Sequence, residues 1–326
     1  MAKISCHHVW KIFGPKGKKN QKRPLQQDKL IPKAGHVVAV KDVSFEVEPG
    51  EIFVVMGLSG SGKSTLVRCL IRLIEPSSGQ VLINGQNVLT MNRAELRNLR
   101  LHHISMVFQQ FGLFPHRRVI DNVAYGLEVQ RVNKKARLKR ANEMLELVGL
   151  EGWGHYFPRE LSGGMQQRVG LARALAVNPE ILLFDEPFSS LDPLIRREMQ
   201  DELLRLQAQM QKTVIFITHD FSEAVKLGNR IAIMKEGQIV QLGTPETIVT
   251  QPADDYVRAF TRDIPRAKVL TACNIMQPYQ NISVSACSCT PTTKVEALIP
   301  LVLASDAPIV VLDERQQPIG QIDRRA

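Results

Sequence analysis

Features that would assign a chain to the membrane or to the secretory route are missing from this sequence of 326 residues. No apolar run approaches the roughly 20 residues that a membrane-spanning helix needs. Residues 1–8 contain no apolar segment of the kind that a secretory signal has. We therefore expect a soluble, cytoplasmic protein, which acts at a membrane only through a partner that spans it.

Cysteine is scarce and irregularly spaced. The five cysteines are an odd number, which argues against a disulfide framework. Cys273, Cys287 and Cys289 suggest a set of three metal ligands, but no histidine lies near them and no C-x-x-C pair exists. We expect inert or buried thiols instead. Internal repeats and low-complexity tracts are missing as well.

The charge is strongly positive, with a formal net charge of +10. Much of the excess lies in residues 16–33, where seven lysines and arginines face a single aspartate. Such a run is most often a solvated loop, and contact with phospholipid or nucleic acid is the alternative.

A glycine-rich loop at residues 57–65, GLSGSGKST, is the strongest local motif. It follows an apolar run at residues 52–56, which predicts a buried strand, and it precedes residues 66–73, which have helical spacing. Strand, glycine loop and helix are the context in which Gly-x-x-x-x-Gly-Lys-Ser binds nucleotide phosphates. This context argues against a chance glycine-rich turn.

The residue types of this loop suit a phosphate. Its glycines allow a tight turn in which successive N–H groups converge on one anion, and the next helix adds the positive end of its dipole. Lys63 would reach the β- and γ-phosphates, and Ser64 would offer a hydroxyl to Mg2+.

Three strand ends would complete a site for phosphoryl chemistry. Apolar residues 181–184 end in Asp185, which would hold Mg2+, and Glu186, which would orient the attacking water and accept its proton. Gln109 would reach Mg2+ or that water, and His219 would donate to a γ-phosphate.

Residues 161–168, LSGGMQQR, predict a second anion site, because Ser162 and the Gly163-Gly164 backbone come just before a helix. One phosphate group needs only one such cradle. A second cradle is useful if two copies of the chain meet face to face and each completes the other's nucleotide pocket.

The order of elements predicts an α/β fold with a mostly parallel core and antiparallel strands near the N-terminus. Residues 110–176 lack strands and predict an inserted helical subdomain, and residues 244–262 predict a closing helix. We expect one domain at residues 1–265 and a small segment at residues 266–326.

Together these motifs resemble the ATP-binding subunits of ABC transporters over residues 4–262. The resemblance implies an ABC-type P-loop ATPase that uses ATP and Mg2+. It assigns these roles: Q-loop, Gln109; signature motif, residues 161–166; Walker B pair, Asp185 and Glu186; D-loop, residues 190–192; switch histidine, His219.

The resemblance also implies a set of site residues. The expected ATP contacts are Phe13, which stacks on adenine, and Gly57, Ser59, Gly60, Ser61, Gly62, Lys63, Ser64 and Thr65. The expected contacts to the opposite subunit's ATP are Leu161, Ser162, Gly163, Gly164 and Gln166, with D-loop residues Ser190 and Asp192. The expected Mg2+ ligands are Ser64, Gln109 and Asp185, and the expected catalytic residues are Glu186, His219 and Gln109.

Further segments resemble bacterial importers of glycine betaine, proline betaine and choline. They are residues 108–116, residues 194–201, the basic insertion, and residues 263–269 leading to Asn-Ile-Met at 274–276. That family continues into a pair of CBS regulatory modules. This chain holds at most one incomplete module, with a helix at 293–304 and strands at 307–311 and 318–322. Two such segments could pair across a dimer, or the segment is vestigial.

The expected function is therefore ATP hydrolysis that drives import of a quaternary ammonium osmolyte. The resemblance implies a homodimer, peripheral at the cytoplasmic face of the membrane, that works with integral permease subunits and, indirectly, an extracytoplasmic substrate-binding protein. Residues 111–114 are the candidate contact for the permease. We expect no specific nucleic acid partner.

Two alternatives remain open. A soluble ABC ATPase acting on ribosomes or nucleic acid would suit the positive charge, but such proteins usually carry two fused halves or a long coiled coil. A small-molecule kinase would have no use for the second cradle.

Overall fold

The computed structural model describes residues 2–14, 35–109, 112–279, 287–304 and 307–323. The basic run at residues 16–33 and Phe111 of the expected permease contact lie outside these residues. The chain divides into two compact units, Met1–Leu242 and Gly243–Ala326.

The described residues contain thirteen strands and twelve α-helices, which are numbered here in chain order. The strands are β1 Ile4–Phe13, β2 Val37–Val47, β3 Ile52–Met56, β4 Ser78–Ile83, β5 Gln86–Asn87, β6 Ile104–Val107, β7 Ile181–Asp185, β8 Thr213–Thr218, β9 Arg230–Lys235, β10 Gln238–Gly243, β11 Ser288–Cys289, β12 Ile309–Leu312 and β13 Pro318–Ile322. The helices are α1 Lys63–Leu70, α2 Arg93–His102, α3 Val119–Val129, α4 Lys134–Leu147, α5 Gly163–Ala176, α6 Pro193–Met210, α7 Phe221–Leu227, α8 Pro245–Thr250, α9 Asp255–Thr261, α10 Arg266–Val269, α11 Ala272–Ile275 and α12 Val295–Ala304.

A six-stranded sheet forms the centre of the first unit, in the order β10-β9-β3-β8-β7-β6. Strand β3 pairs in parallel with β8 and β9, and β7 pairs in parallel with β8 and β6. Every residue of β3, β7 and β8 is buried. Their continuous apolar runs are what a parallel sheet covered on both faces requires. The predicted mostly parallel core is confirmed.

The expected antiparallel strands form a second sheet of four strands, in the order β2-β1-β4-β5. Its tight β4–β5 turn lies at Asn84 and Gly85, whose φ angles of 51° and 76° are the positive values that a two-residue hairpin needs. One buried cluster joins the two sheets, and in it Phe45 stacks on Phe53 with ring centroids 4.9 Å apart.

Helices α3, α4 and α5 form the expected helical subdomain, and no strand interrupts it among the described residues between β6 and β7. Polar caps set its helix starts: the Asn133 side chain accepts from the Lys135 N–H, and Ser162 accepts from the Met165 N–H. Buried Asn122 fixes the segment before α3, because its amide donates to the carbonyls of Phe114, Arg117 and Arg118.

The second unit is small and has its own core. Its three strands pair in the order β11-β12-β13, and its core consists of five buried side chains, Ala272, Leu298, Ile309, Val311 and Ile322. Residues 244–262, which the sequence predicts to be helical, form two helices, α8 and α9. They are separate because Pro252 interrupts the chain and Asp254 caps the second helix through the Val257 N–H.

The boundary between the compact units precedes α8, whereas the sequence places it at residues 265 and 266. The two differ because α8 contacts the later segment: Lys294 Nζ lies 3.1 Å from Glu246 Oε1. The boundary at 265 stays a prediction, as does the CBS-like character of the tail. None of the helices in the described ranges combines the length and apolar character that crossing a membrane requires.

We expect Cys6 and Cys69, the cysteines of the first unit, to be unreactive in the folded protein. Cys6 and Cys69 are buried, whereas Cys273 is exposed. Burial raises the pKa of Cys69 from 9.0 to about 11, which lowers its thiolate fraction at neutral pH by about 100-fold. We expect iodoacetamide to alkylate Cys273 in the native protein, and Cys6 and Cys69 only after denaturant is added. Peptide mass spectrometry measures this, and native alkylation of Cys69 as fast as Cys273 would contradict it.

Candidate active site

The glycine-rich loop joins β3 to α1, as the sequence predicts. Its backbone has φ angles of 149° at Gly57, 82° at Gly60 and 102° at Gly62, a region that side chains disfavour. Gly62 is also closely packed, because a Cβ there would lie 2.1 Å from the Ala39 carbonyl oxygen. The antiparallel strand β2 therefore helps to hold the loop in shape.

Lys63 is the buried cation of this loop. Its Nζ donates to the carbonyls of Gly57 at 2.7 Å and Leu58 at 3.0 Å, and it lies 3.6 Å from Glu186 Oε1. Burial lowers the pKa of Lys63, while the Glu186 and Asp185 carboxylates act in the opposite direction. The loop thus wraps around its own lysine, with the ammonium group beside the predicted catalytic acid.

Ser64 and Asp185 provide a place for a hard cation. Ser64 Oγ donates to Asp185 Oδ1 at 2.7 Å, and Arg68 Nη2 donates to Asp185 Oδ2 at 3.2 Å. The described residues contain no cluster of three or more acidic, histidine or cysteine ligands. One hydroxyl and one carboxylate fit Mg2+, which keeps several waters and takes its remaining ligands from substrate phosphates.

The loop also contains a polar atom without a partner. Ser61 is buried, and its Oγ makes no hydrogen bond in the structure. Buried polar groups are nearly always paired, so an orphaned hydroxyl in an anion cradle fits a phosphate oxygen that binds there. Together with the glycines, this atom shows that the loop fits a nucleotide phosphate.

Glu186 and His219 meet at the ends of two neighbouring strands. His219 Nδ1 lies 3.0 Å from Glu186 Oε2. Glu186 has a positive φ of 47°, and its N–H donates to the Ile217 carbonyl at 3.1 Å, which turns the chain sharply after β7. The parallel β7–β8 pairing therefore places an acid and an imidazole side by side, next to Lys63.

Gln109 reaches the same edge through Ser189. Its Nε2 donates to Ser189 Oγ at 3.2 Å, and Ser189 Oγ donates to the Glu186 carbonyl at 3.0 Å. The structure thus brings the side chain of Gln109 towards the loop after β7. Its contact in the protein is a hydroxyl, and its expected role as a Mg2+ ligand stays a prediction.

The predicted signature motif begins α5. Ser162 and Gly163 are exposed, and Gln166 Nε2 donates to the Leu161 carbonyl at 3.1 Å. Gly164 is packed against α6, where an added Cβ would lie 2.5 Å from Ile195 Cγ2. The motif is thus an exposed helix start that packs against α6 through Gly164.

Three further predicted positions lie on the surface. Phe13 is 42% exposed at the end of β1, with Lys11 Nζ 4.8 Å from its ring centroid. Ser190 is exposed, and Asp192 caps α6 by accepting from the N–H groups of Leu194 and Ile195. These positions are open to a partner, as stacking on adenine and a D-loop require.

Two further residues belong to this site that the sequence motifs do not include, Arg68 and Ser189. Arg68 follows Ser64 by one helical turn, so the two share a face of α1, and this spacing is a signal for its contact with Asp185. Ser189 joins Gln109 to the Glu186 backbone. No local pattern could reveal that bond, because it spans 80 positions.

Comparisons with known proteins agree with this geometry. A sequence profile of the family described as ABC transporter matches residues 40–189. The trimethylamine N-oxide transport system ATP-binding protein of Pelagibacter ubique is 48% identical over 321 residues, which cover 98% of this chain and 94% of that protein. The glycine betaine/proline betaine transport system ATP-binding protein of Escherichia coli is 52% identical over 282 residues, which cover 86% of this chain and 70% of that protein.

A solved structure extends the likeness to the fold. The dimeric structure of a bacterial ABC transporter cassette matches with a TM-score of 0.63 and 33% identity, over 74% of this chain and 98% of the cassette. The expected fold, an ABC-type P-loop ATPase domain, is thereby confirmed, and with it an ATPase that uses ATP and Mg2+.

The loop geometry predicts that two similar glycine substitutions differ in cost. Gly60→Ala meets nothing within 4 Å and carries only the strain of a positive φ, about 1–2 kcal/mol. Gly62→Ala carries the same strain and also collides with the Ala39 carbonyl. We expect Gly60→Ala to lower the unfolding temperature of the nucleotide-free protein by a few degrees and Gly62→Ala by at least twice as much. Equal shifts would show that contact with β2 does not shape the loop.

Proposed function

Because the chain belongs to the ATP-binding subunits of ABC transporters, we propose that it hydrolyses ATP to drive import of a small osmolyte with a methylated, positively charged nitrogen, such as glycine betaine, proline betaine or trimethylamine N-oxide. The proposed hydrolysis rests on three side chains at one edge of the sheet, where Glu186 lies between the Lys63 ammonium and the His219 imidazole. The solute is inferred from the descriptions of the relatives.

In the proposed reaction, the loop at residues 57–65 binds the phosphates through its backbone N–H groups, and Lys63 leaves its own loop carbonyls to pair with them. Mg2+, when bound, neutralises developing charge on the phosphate oxygens, and Ser64 and Asp185 would hold it. Glu186 accepts the proton of the attacking water, and His219 orients the γ-phosphate.

The proposed active unit is a homodimer. One phosphate loop is enough to bind the phosphates of one nucleotide, so the exposed start of α5, with its Ser162 hydroxyl and Gly163 N–H, is available to the ATP of a second copy. The solved cassette with the same fold is dimeric. In the proposal, each copy places residues 161–166 and its D-loop against the ATP of the other, and ATP closes the pair.

In the proposal, closure of the homodimer is transmitted to the membrane subunits through a contact surface on each copy. An apolar cavity of about 280 Å3 lies between the central sheet and the helical subdomain. Phe108 and Leu73 on its lining are 40% and 51% exposed, and Tyr125 forms another part of it. Phe114 of the expected contact packs on Tyr125, with ring centroids 4.6 Å apart. We propose that this cavity receives an apolar segment of the permease.

The solute class follows from the relatives. Trimethylamine N-oxide and glycine betaine both carry a trimethylated nitrogen with a balancing negative oxygen. The relative that this chain matches nearly end to end is described as acting on the N-oxide, whereas the chain spans about 70% of the betaine relative. We therefore keep the expected class of quaternary ammonium osmolytes and add trimethylamine N-oxide to it.

The proposed setting is the cytoplasmic face of the membrane, where the chain is peripheral and its permease subunits receive solute from an extracytoplasmic binding protein. Both relatives are described as parts of transport systems, which supports this setting over the ribosome or nucleic acid alternative. The positive charge of the chain does not require a nucleic acid, since a cytoplasmic membrane surface is anionic.

Uptake in the source organism tests the proposal. Deletion of the gene should lower uptake of radiolabelled glycine betaine, trimethylamine N-oxide or both by at least tenfold, and leave sulfate uptake unchanged. The wild-type gene should restore uptake. Glu186→Gln should not, because the amide cannot accept the proton of the attacking water.

The matched control is Glu151→Gln, which makes the same chemical change at an exposed position of the helical subdomain and should restore uptake fully. Full restoration by Glu186→Gln would show that the catalytic base is wrongly assigned. Unchanged uptake of both amines after deletion would show that the solute class is wrong.

A further inference from the structure

A buried polar network begins at Thr218, the residue that precedes His219 in the chain. Its central residue is Glu223 on α7, which is 5% exposed. Thr218 Oγ1 donates to Glu223 Oε2 at 2.6 Å, and Gln200 Nε2 donates to Glu223 Oε1 at 3.2 Å. Burial raises the pKa of Glu223, while the hydrogen bonds from Thr218 and Gln200 and the charge of Arg196 act in the opposite direction. A buried carboxyl group with several partners is costly, so its position calls for an explanation.

Thr218 connects this network to both sides of the switch histidine. Its hydroxyl donates to Glu223 and accepts from the Asp220 N–H at 2.9 Å. Asp220 in turn caps α7 by accepting from the N–H groups of Ser222 and Glu223. His219 is therefore held between two residues that one hydroxyl ties together, which limits how its backbone moves.

Arg196 connects the same network to the D-loop. Its Nη2 donates to the Leu191 carbonyl at 3.1 Å, and its Nη1 lies 3.6 Å from Asp220 Oδ2. Its Nε lies 3.9 Å from Glu223 Oε1, too far for a hydrogen bond, and is buried with no hydrogen-bond partner in the structure. One guanidinium thus bridges residue 191 and both acids that follow His219.

We propose that Arg196, Glu223 and the Thr218 hydroxyl are positioning residues that hold His219 and the D-loop as one unit. The D-loop is the part of this unit that faces the second copy in the proposed dimer, and His219 is the part that faces the nucleotide. A second copy that presses on residues 190–192 therefore also sets the position of His219. The inference rests on the proposed role of His219.

The sharpest test is a pair of substitutions at Thr218. Thr218→Val keeps the shape and the branched Cβ of a buried strand residue but removes the hydroxyl. Thr218→Ser keeps the hydroxyl. We expect Thr218→Val to lower the kcat of ATP hydrolysis by about tenfold while the Kd for ATP changes less than twofold. Thr218→Ser should retain at least half of the wild-type kcat.

A second variant and a control address folding. Glu223→Gln should also lower kcat, because the amide cannot accept from both Thr218 and Gln200. The control is Asp201→Asn, which breaks the ion pair to Lys226 Nζ, 2.7 Å long, between the same helices α6 and α7 but at an exposed position. It should leave kcat within twofold. Circular dichroism and ATP binding show which variants are folded.

A double-mutant cycle with His219→Ala shows whether the network acts through the histidine. We expect Thr218→Val to cause no further loss of kcat in the His219→Ala background. An additional tenfold loss there would overturn the proposal, and so would folded Thr218→Val and Glu223→Gln variants with wild-type kcat. If His219→Ala alone leaves kcat unchanged, the proposed role of His219 fails first, which distinguishes the two claims.

Discussion

Parallel hydrogen bonding between β3, β8, β7 and β6 is the constraint on which the site depends. Parallel strands end at the same edge, and the chain leaves each strand with a different chemical group. Strand β3 leads into the phosphate loop, β7 ends at Asp185 and leads to Glu186, and β8 leads to His219. Groups from distant parts of the chain thus meet at this edge: Ser64 Oγ lies 2.7 Å from Asp185 Oδ1, and His219 Nδ1 lies 3.0 Å from Glu186 Oε2.

Electrostatics accounts for the other half of the arrangement. Lys63 is buried among its own loop carbonyls and beside two acids, so it is held where an arriving phosphate replaces the carbonyls as its partner. The Ser61 hydroxyl is buried without a partner in the same loop. The cradle therefore has one unsatisfied hydroxyl, and a lysine whose carbonyl partners a phosphate can replace.

The sequence predicts the parts of this protein that local patterns determine. The apolar run of β7, the Asn84-Gly85 turn and the glycine loop each have a local signal, and the structure contains all three. It could not predict contacts that join distant positions, such as Gln109 with Ser189 or Arg196 with Glu223, because these arise only when the sheet assembles. Residues 244–262, which the sequence predicts to be helical, form two helices because Pro252 divides the segment. The Mg2+ contact of Gln109 and the adenine stacking of Phe13 stay predictions.

The central claim is that one chain provides only half of each ATP site and that a second copy completes it. Sedimentation of the Glu186→Gln variant with ATP and Mg2+ tests this most directly, because bound ATP is not consumed. We expect a mass twice the 36.6 kDa of the chain with ATP, and the mass of a single chain with ADP. Addition of Gly163→Glu should return it to a single chain, since the new charge opposes the partner's phosphates yet suits the first turn of a helix. A variant that binds ATP fully and still sediments as one chain would contradict the account.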